Sequence, residues 1–412
     1  MSPCGAEVQA DVRRALAEAM AAERLKIVAS LIRTTRDWDL AQDAVGDAAE
    51  RALRSWPRDG VPTNPAAWLT TTARRRAIDV LRRADLEQRR LDEVAALGEP
   101  NGGVETSSNA SPMSDDRLRL IFTCCHPALP IDGRVALTLK VVSGLSTAAI
   151  GRAFLISEAT TGQRLLRAKR KITNAGIPFQ VPPPDMLADR LDGVLNVIYL
   201  VFTDGYAAAA NDALADEAVR LGRLLIELMP KSDEARGLLA LMLLQRSRRG
   251  ARVVDGELIT LEHQDRSRWN AVAIDEALAL SPLPDSGRGR YRLQAELAAV
   301  HAITRAPAET DWLTIVSLYD ELLRVAPSPI VSLNRAIAVG MSDGPLAGLA
   351  ALDAVAHDVR LAGFHLLPAA RGDLLARAGH RAEAIAALDR AIQLAPTDLE
   401  RRQLARRRDE LR

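Results

Sequence analysis

Thiols are scarce in this chain. Its 412 residues include three cysteines, Cys4, Cys124 and Cys125, which argues against a disulfide framework and fits a reducing, cytoplasmic setting. Aromatic residues make up 3%, too few for the ring-rich interiors of sheet proteins. No stretch approaches the roughly 18 consecutive apolar residues of a membrane-spanning helix. The opening MSPCGAEVQADVRR lacks the apolar centre of a secretory signal. No membrane partner is therefore expected. The net charge is +1, so contact with nucleic acid has to rest on local clusters of charge. C-x-x-C and H-x-x-x-H spacings, phosphate-cradling glycine loops and nucleophile–base spacings are also missing. No metal, cofactor or catalytic residue is expected, and the chain reads as a non-enzyme. Cys124-Cys125-His126 precede Pro127 at a helix end and read as structural, because adjacent cysteines rarely share one zinc ion.

What the chain does have is alanine, leucine and arginine in helical periodicity. This is the composition of an all-α protein, and the length suggests about two to four domains. The most informative stretch runs from Arg134 to Thr173. Gly144-Leu145-Ser146 breaks an apolar run and supplies a capping serine for a helix that starts at Ala148-Ala149-Ile150 and closes at Phe154-Leu155. Ser157 caps a second helix whose apolar positions Leu165, Ala168 and Ile172 recur every three or four residues. Between them stand Arg164, Arg167, Lys169, Arg170 and Lys171. A helix-turn-helix whose second helix is apolar on one side and cationic on the other suits the DNA major groove. Its first turns meet base edges and its basic flank meets phosphates.

Upstream, Asp39, Asp43 and Asp47 form a carboxylate row on one face of a helix. That row is either a solvated acidic face or a docking surface for a basic partner helix. A turn-rich loop over 55–63 contains Trp56, and Asn64 and Pro65 then open a helix. This helix buries Trp68, Leu69, Ala73 and Ala77 and presents Arg74, Arg75 and Arg76. Cations beside an irregular loop with an aromatic residue can hold a melted strand, the cations on its backbone and the loop on an unstacked base. Residues 85–113 read as a polar linker, with Ser114 as a cap for the helix beyond it.

These motifs, in this order, resemble an extracytoplasmic-function (ECF) sigma factor. DLAQDAVGDAAERAL is similar to region 2.2, NPAAWLTTTARRRAIDVLRR to region 2.4, and GLSTAAIGRAFLISEATTGQRLLRAKRKI to region 4.2. The likeness implies docking on the β′ clamp helices and β flap of core RNA polymerase, with Asp39, Asp43 and Asp47 in the clamp contact. It implies capture of the promoter −10 element by Trp56, Asn64, Arg74, Arg75 and Arg76. It implies reading of the −35 element by Ser157, Glu158, Thr160, Thr161, Gln163, Arg164, Arg167 and Lys169. The chain departs from the usual region 2.2 pattern at Gln42, Gly46 and Ala49, and Asp43 keeps the central acidic position.

Past Ile177 comes a stiff Val181-Pro182-Pro183-Pro184 stretch and then more helical pattern. Val253-Val254 and Leu258-Ile259 around Asp255-Gly256 form either a short hairpin or an ordered loop, and Asn270 caps the next helix. Gly372, Gly379, Ala384, Leu388, Ala391 and Pro396 have the spacings of a tetratricopeptide repeat, a helical hairpin of roughly 34 residues. Tyr319 with Pro327, and Ala336 with Leu352, suggest earlier, degenerate copies. Stacked hairpins build a concave surface suited to a peptide or protein partner. YLVFTDGY, HQDRSRWN, TDWLTIVSLYD and SPIVSLNRAIAV resemble the ECF group with a long tetratricopeptide-like extension, in which the extension is thought to regulate the sigma core.

The expected organisation is a region 2 domain over 10–84, the linker over 85–113 and a region 4 domain over 114–177. A hinge over 178–185, a helical extension over 186–288 and repeats over 289–412 follow. A transcription regulator with a repeat sensor that never joins polymerase is the alternative.

Overall fold

The computed structural model describes residues 3–95, 115–154, 156–207, 212–254, 256–280, 288–304 and 306–412. Among these residues the fold is helical apart from one two-stranded ribbon, and the chain divides into two compact units, Met1–Leu214 and Ala215–Arg412.

The first unit opens with α1 (Pro3–Thr35), α2 (Trp38–Asp59) and α3 (Pro65–Ala95), each packed on the other two. Arg36 ends α1 in the left-handed region, φ 56°, and returns its N–H to Ile32 O at 2.8 Å. Asp37 then caps α2, accepting from the N–H groups of Asp39 and Leu40. Ala41, Ala44, Val45, Ala48, Ala52 and Trp56 form the buried stripe of α2, and small residues there let the helices approach closely. The expected loop over 55–63 starts later than the sequence suggests, because α2 continues through Pro57 to Asp59. A proline in the last turn removes a single donor, and the burial of Trp56 holds that turn in place. At its other end α3 continues to Ala95, into the stretch read as linker; residues 96–114, with Ser114, lie outside the described residues.

Asp115 caps α4 (Asp116–Cys124). After α5 (Ile131–Leu137) comes a π-helical turn, Thr138–Val142, then α6 (Thr147–Ala153) and α7 (Glu158–Asn174). α8 (Pro184–Ala207) follows. It is too apolar to stand alone: Val194, Leu195, Val197, Ile198, Val201 and Phe202 are all buried. It packs on α4 and α5, and Arg190 donates to Phe122 O at 3.0 Å. The division between the units thus falls after α8 rather than at Pro182–Pro184. Cys124 and Cys125 are both buried, and burial pushes the Cys125 thiol up to about 11.

The second unit contains most of α9 (Asp212–Leu228), α10 (Asp233–Ser247) and the short α11 (Arg249–Arg252). Strands β1 (Val253–Val254) and β2 (Glu257–Leu258) come next, pairing antiparallel with Val253 opposite Leu258. Asn270 caps α12 (Ala271–Ala279), and α13 (Arg290–Ile303) follows. Leu238 to Leu244 of α10 are buried on every side, so α10 is the central helix here, packed on α12 and α13. Where α10 meets α13, Asp233 and Arg292 form an ion pair at 2.9 Å with side chains only 5% and 4% exposed. The guanidinium also donates to Leu280 O at 2.9 Å, so a charge removed from water has its donors occupied.

The repeats occupy α14 (Trp312–Val325), α15 (Pro329–Ser342), α16 (Pro345–Val355), α17 (Leu366–Arg377), α18 (Arg381–Leu394) and α19 (Asp398–Asp409). In the hairpin read most clearly from sequence, Gly372 of α17 meets Leu388 of α18, and Ala384, Leu388 and Ala391 are at most 1% exposed. The degenerate pair at Ala336 and Leu352 is also a hairpin, α15 against α16. There Gly340 and Gly348 touch, and a Cβ on Gly348 would lie 2.5 Å from Gly340 Cα, so this crossing requires glycine.

Candidate polymerase and promoter surfaces

The second helix of the helix-turn-helix is held as its sequence suggests. Ser157 Oγ accepts from Thr160 N–H at 3.0 Å, and Leu165, Ala168 and Ile172 face the core. Glu158, Thr160, Gln163 and Arg167 of α7 are exposed, with Arg167 donating to Gln163 at 3.3 Å. Thr161 is a correction to the expected base-reading set. It is fully buried, its hydroxyl donating to Ser157 O at 3.1 Å, so it braces the first turn of the helix and has no face to offer a base.

Two of the cations are already paired. Arg164 lies 3.5 Å from Asp132 of α5, and Lys169 Nζ sits 2.5 Å from Asp39 of α2. The second pair joins the helix expected to read DNA to the helix expected to dock on polymerase. Along the carboxylate row, Asp39 is held by Lys169 and Asp47 by Arg76 at 2.5 Å. Asp43, between them, is exposed and has no ion pair among the described residues.

On α3, Arg74 and Arg75 are exposed, Arg76 is shared with Asp47, and Asn64 accepts from Ala67 N–H at 2.9 Å. Trp56 is the other correction. It is 2% exposed and packs edge-to-face on Trp68, ring centroids 5.4 Å apart. Its ring is part of the α2–α3 core and cannot stack on an unpaired base in this conformation.

The same unit contains contacts that pattern reading missed. Arg24 of α1 donates to Val141 O and Val142 O at 2.8 and 2.9 Å, capping the π-helical turn that precedes the helix-turn-helix. Gly144, at φ +79°, leaves room for it, since a Cβ there would lie 2.6 Å from the guanidinium. Arg33 of α1 pairs with Asp116 of α4 at 2.9 Å. The segment that leads into the helix-turn-helix thus packs against α1, and α7 reaches α2 through the Lys169–Asp39 pair. A lone arginine in an amphipathic helix carries no sequence signal for carbonyl partners more than a hundred residues away.

No described helix is long and apolar enough to cross a membrane, and no described group of three His, Cys, Asp or Glu is placed to hold a metal ion.

An acidic α2, an arginine-bearing α3 and a helix-turn-helix in a single unit define a sigma-type initiation protein. Residues 19–87 match the family model of sigma-70 region 2, and residues 119–172 match that of sigma-70 region 4. Residues 190–282 match a family of unknown function, DUF6596. An uncharacterized protein of Rhizobium meliloti (strain 1021) is 43% identical over 387 residues, covering 92% of this chain and 91% of that one. The chain belongs to the ECF sigma factors that carry a C-terminal extension. Its role is in transcription initiation, and the sigma-70 regions imply core RNA polymerase and promoter DNA as partners.

Proposed function

We propose that the chain is a promoter-specificity subunit that docks on core polymerase through the α2 surface around Asp43. In this reading α7 reads the −35 element with Gln163, Arg164, Arg167 and Lys169, and α3 holds the melted −10 strand with Arg74, Arg75 and Arg76. The extension regulates this activity, and its repeats take a polypeptide partner. The observation that carries the reading is the Lys169–Asp39 pair, which joins the helix read as DNA-binding to the helix read as polymerase-docking. The −10 and −35 elements lie about two duplex turns apart, on the order of 70 Å. Helices joined by one ion pair do not reach both, so the packed arrangement is a closed state that opens on core polymerase.

The test is run-off transcription with purified core and a promoter library, comparing the full chain with residues 1–214, a truncation that retains α8. Specific transcripts from either form establish sigma activity. Transcripts from the truncation alone make the extension an inhibitor; transcripts from the full chain alone make it an activator. Silence from both, with core that responds to its own primary sigma factor, would leave a regulator that never joins polymerase.

A further inference from the structure

Within the first unit, the helix-turn-helix and α8 leave a cleft between them with a volume of about 190 Å³. Val135 and Ala136 of α5, Ile150 of α6, Phe154 and Ile156 of the turn, and Leu200 of α8 line it. The lining is largely apolar, and Thr161, also in the wall, spends its hydroxyl on Ser157 O. An apolar cavity of about 150 Å³ holds a benzene ring, so this cleft has room for one ring with a short substituent. Its walls come from both parts of the chain. Asp132 and Arg164 lie in the region 4 match, Leu200 lies in the match to DUF6596, and α8 packs on α5.

Small-molecule sites combine an apolar lining with a few charged or polar groups that fix orientation. Here those groups are Asp132 and Arg164. Their ion pair is loose, at 3.5 Å, against roughly 2.7–2.9 Å for a charge-assisted hydrogen bond. Neither forms another ion pair among the described residues. The arginine side chain is the less exposed of the two, 35% against 53%. Its planar guanidinium can meet a carboxylate through two parallel hydrogen bonds, whereas an ammonium group on Asp132 would sit on the more solvated partner. The charges at the rim therefore favour a carboxylate over an amine.

We infer that this cleft binds a small apolar carboxylic acid, its ring or short chain between α5 and α8 and its carboxylate on Arg164. The site goes beyond the promoter reading and does not depend on it. If α7 reads the −35 element, a bound acid withholds Arg164 from DNA, and the extension, through Leu200, supplies part of the site that senses it.

The test is calorimetric titration of the full-length protein with phenylacetate, phenylacetamide and phenethylamine, three probes that share one ring and differ in the polar end. It contains neither polymerase nor DNA, so its failure is separate from any failure of sigma activity. Phenylacetate should bind with a Kd on the order of 0.1–1 mM, and phenethylamine at least about tenfold more weakly. Arg164→Gln should weaken phenylacetate by about tenfold and leave phenylacetamide unchanged. Leu200→Trp fills the cleft from the α8 side and should abolish binding of both. Arg164 is at the rim, so its variant decides the matter even if the Leu200 variant fails to fold. No heat with phenylacetate, equal binding of phenethylamine, or unchanged phenylacetate binding by folded Arg164→Gln overturns the inference. So does unchanged binding by a folded Leu200→Trp, which would place the ligand elsewhere.

Discussion

Lys169 Nζ lies 2.5 Å from Asp39 Oδ1, and the two residues are 130 positions apart. The lysine side chain is 15% exposed and the aspartate 74%. An ion pair with so exposed a member contributes about 0–1 kcal/mol. The packed arrangement is therefore held mainly by Arg24 on the Val141 and Val142 carbonyls and by α1 packing on α4. In the proposed reading the pair competes instead for a charge that α7 offers to DNA. Asp39→Ala should raise affinity for a −35 duplex by about two- to fivefold in low salt, with the gain shrinking as salt screens the pair. Anisotropy with a labelled duplex measures it, and unchanged affinity would show that Lys169 is not held back by Asp39.

Arg167 and Arg164 should behave differently. Arg167 is exposed on α7, whereas Arg164 also serves Asp132. Arg167→Ala should weaken −35 binding with little change in stability. Arg164→Ala should weaken binding and also leave Asp132 unpaired. Each loss, if the contact is to phosphate, should be larger at low salt and reduce the salt slope by about one. Duplex titrations at several salt concentrations, with urea melts of each variant, separate the two effects.

The Asp233–Arg292 pair locks α10 to α13. Arg292→Met would take from a buried carboxylate the guanidinium 2.9 Å away, at a cost of about 3–5 kcal/mol. The double variant Asp233→Leu/Arg292→Met should recover much of that loss, because it buries no charge. Urea denaturation of all three proteins gives the numbers. A single variant as stable as the parent would contradict the burial of the pair.

His301 carries the clearest pH dependence. Burial, with Arg248 and Arg266 nearby, holds its imidazolium down from the ordinary 6.5 to about 4. The unfolded chain takes up this proton at pH 6.5 and the folded chain does not. Stability is therefore lost as pH falls from 6.5 to 4, by at most on the order of 3 kcal/mol, and the loss levels off below 4. His301→Phe keeps a ring against Trp312, 5.5 Å away, and should flatten this part of the profile. Thermal melts across that range, variant against parent, check it.

Much of this molecule is legible in the sequence because the relevant signals are local. Capping depends on a side chain and a backbone two or three residues on, so Ser146, Ser157 and Asn270 act where they stand. Helical stripes and repeat spacings depend on the 3.6-residue period, which is why α7 and the Gly372–Leu388 hairpin could be read directly. Only the tertiary structure decided which polar residues remain available. Trp56 and Thr161 belong to types that contact nucleic acid, but neighbouring helices bury both. Asp39 and Lys169 read as two separate surfaces, and packing of α4 and the π-helical turn on α1 brings them together. α8 follows a proline-rich stretch, yet its apolar face needs α4 and α5 to cover it, so it joins the first unit. Periodicity states that a face must be covered; which residues cover it depends on contacts between positions far apart in the chain, and no local pattern encodes those.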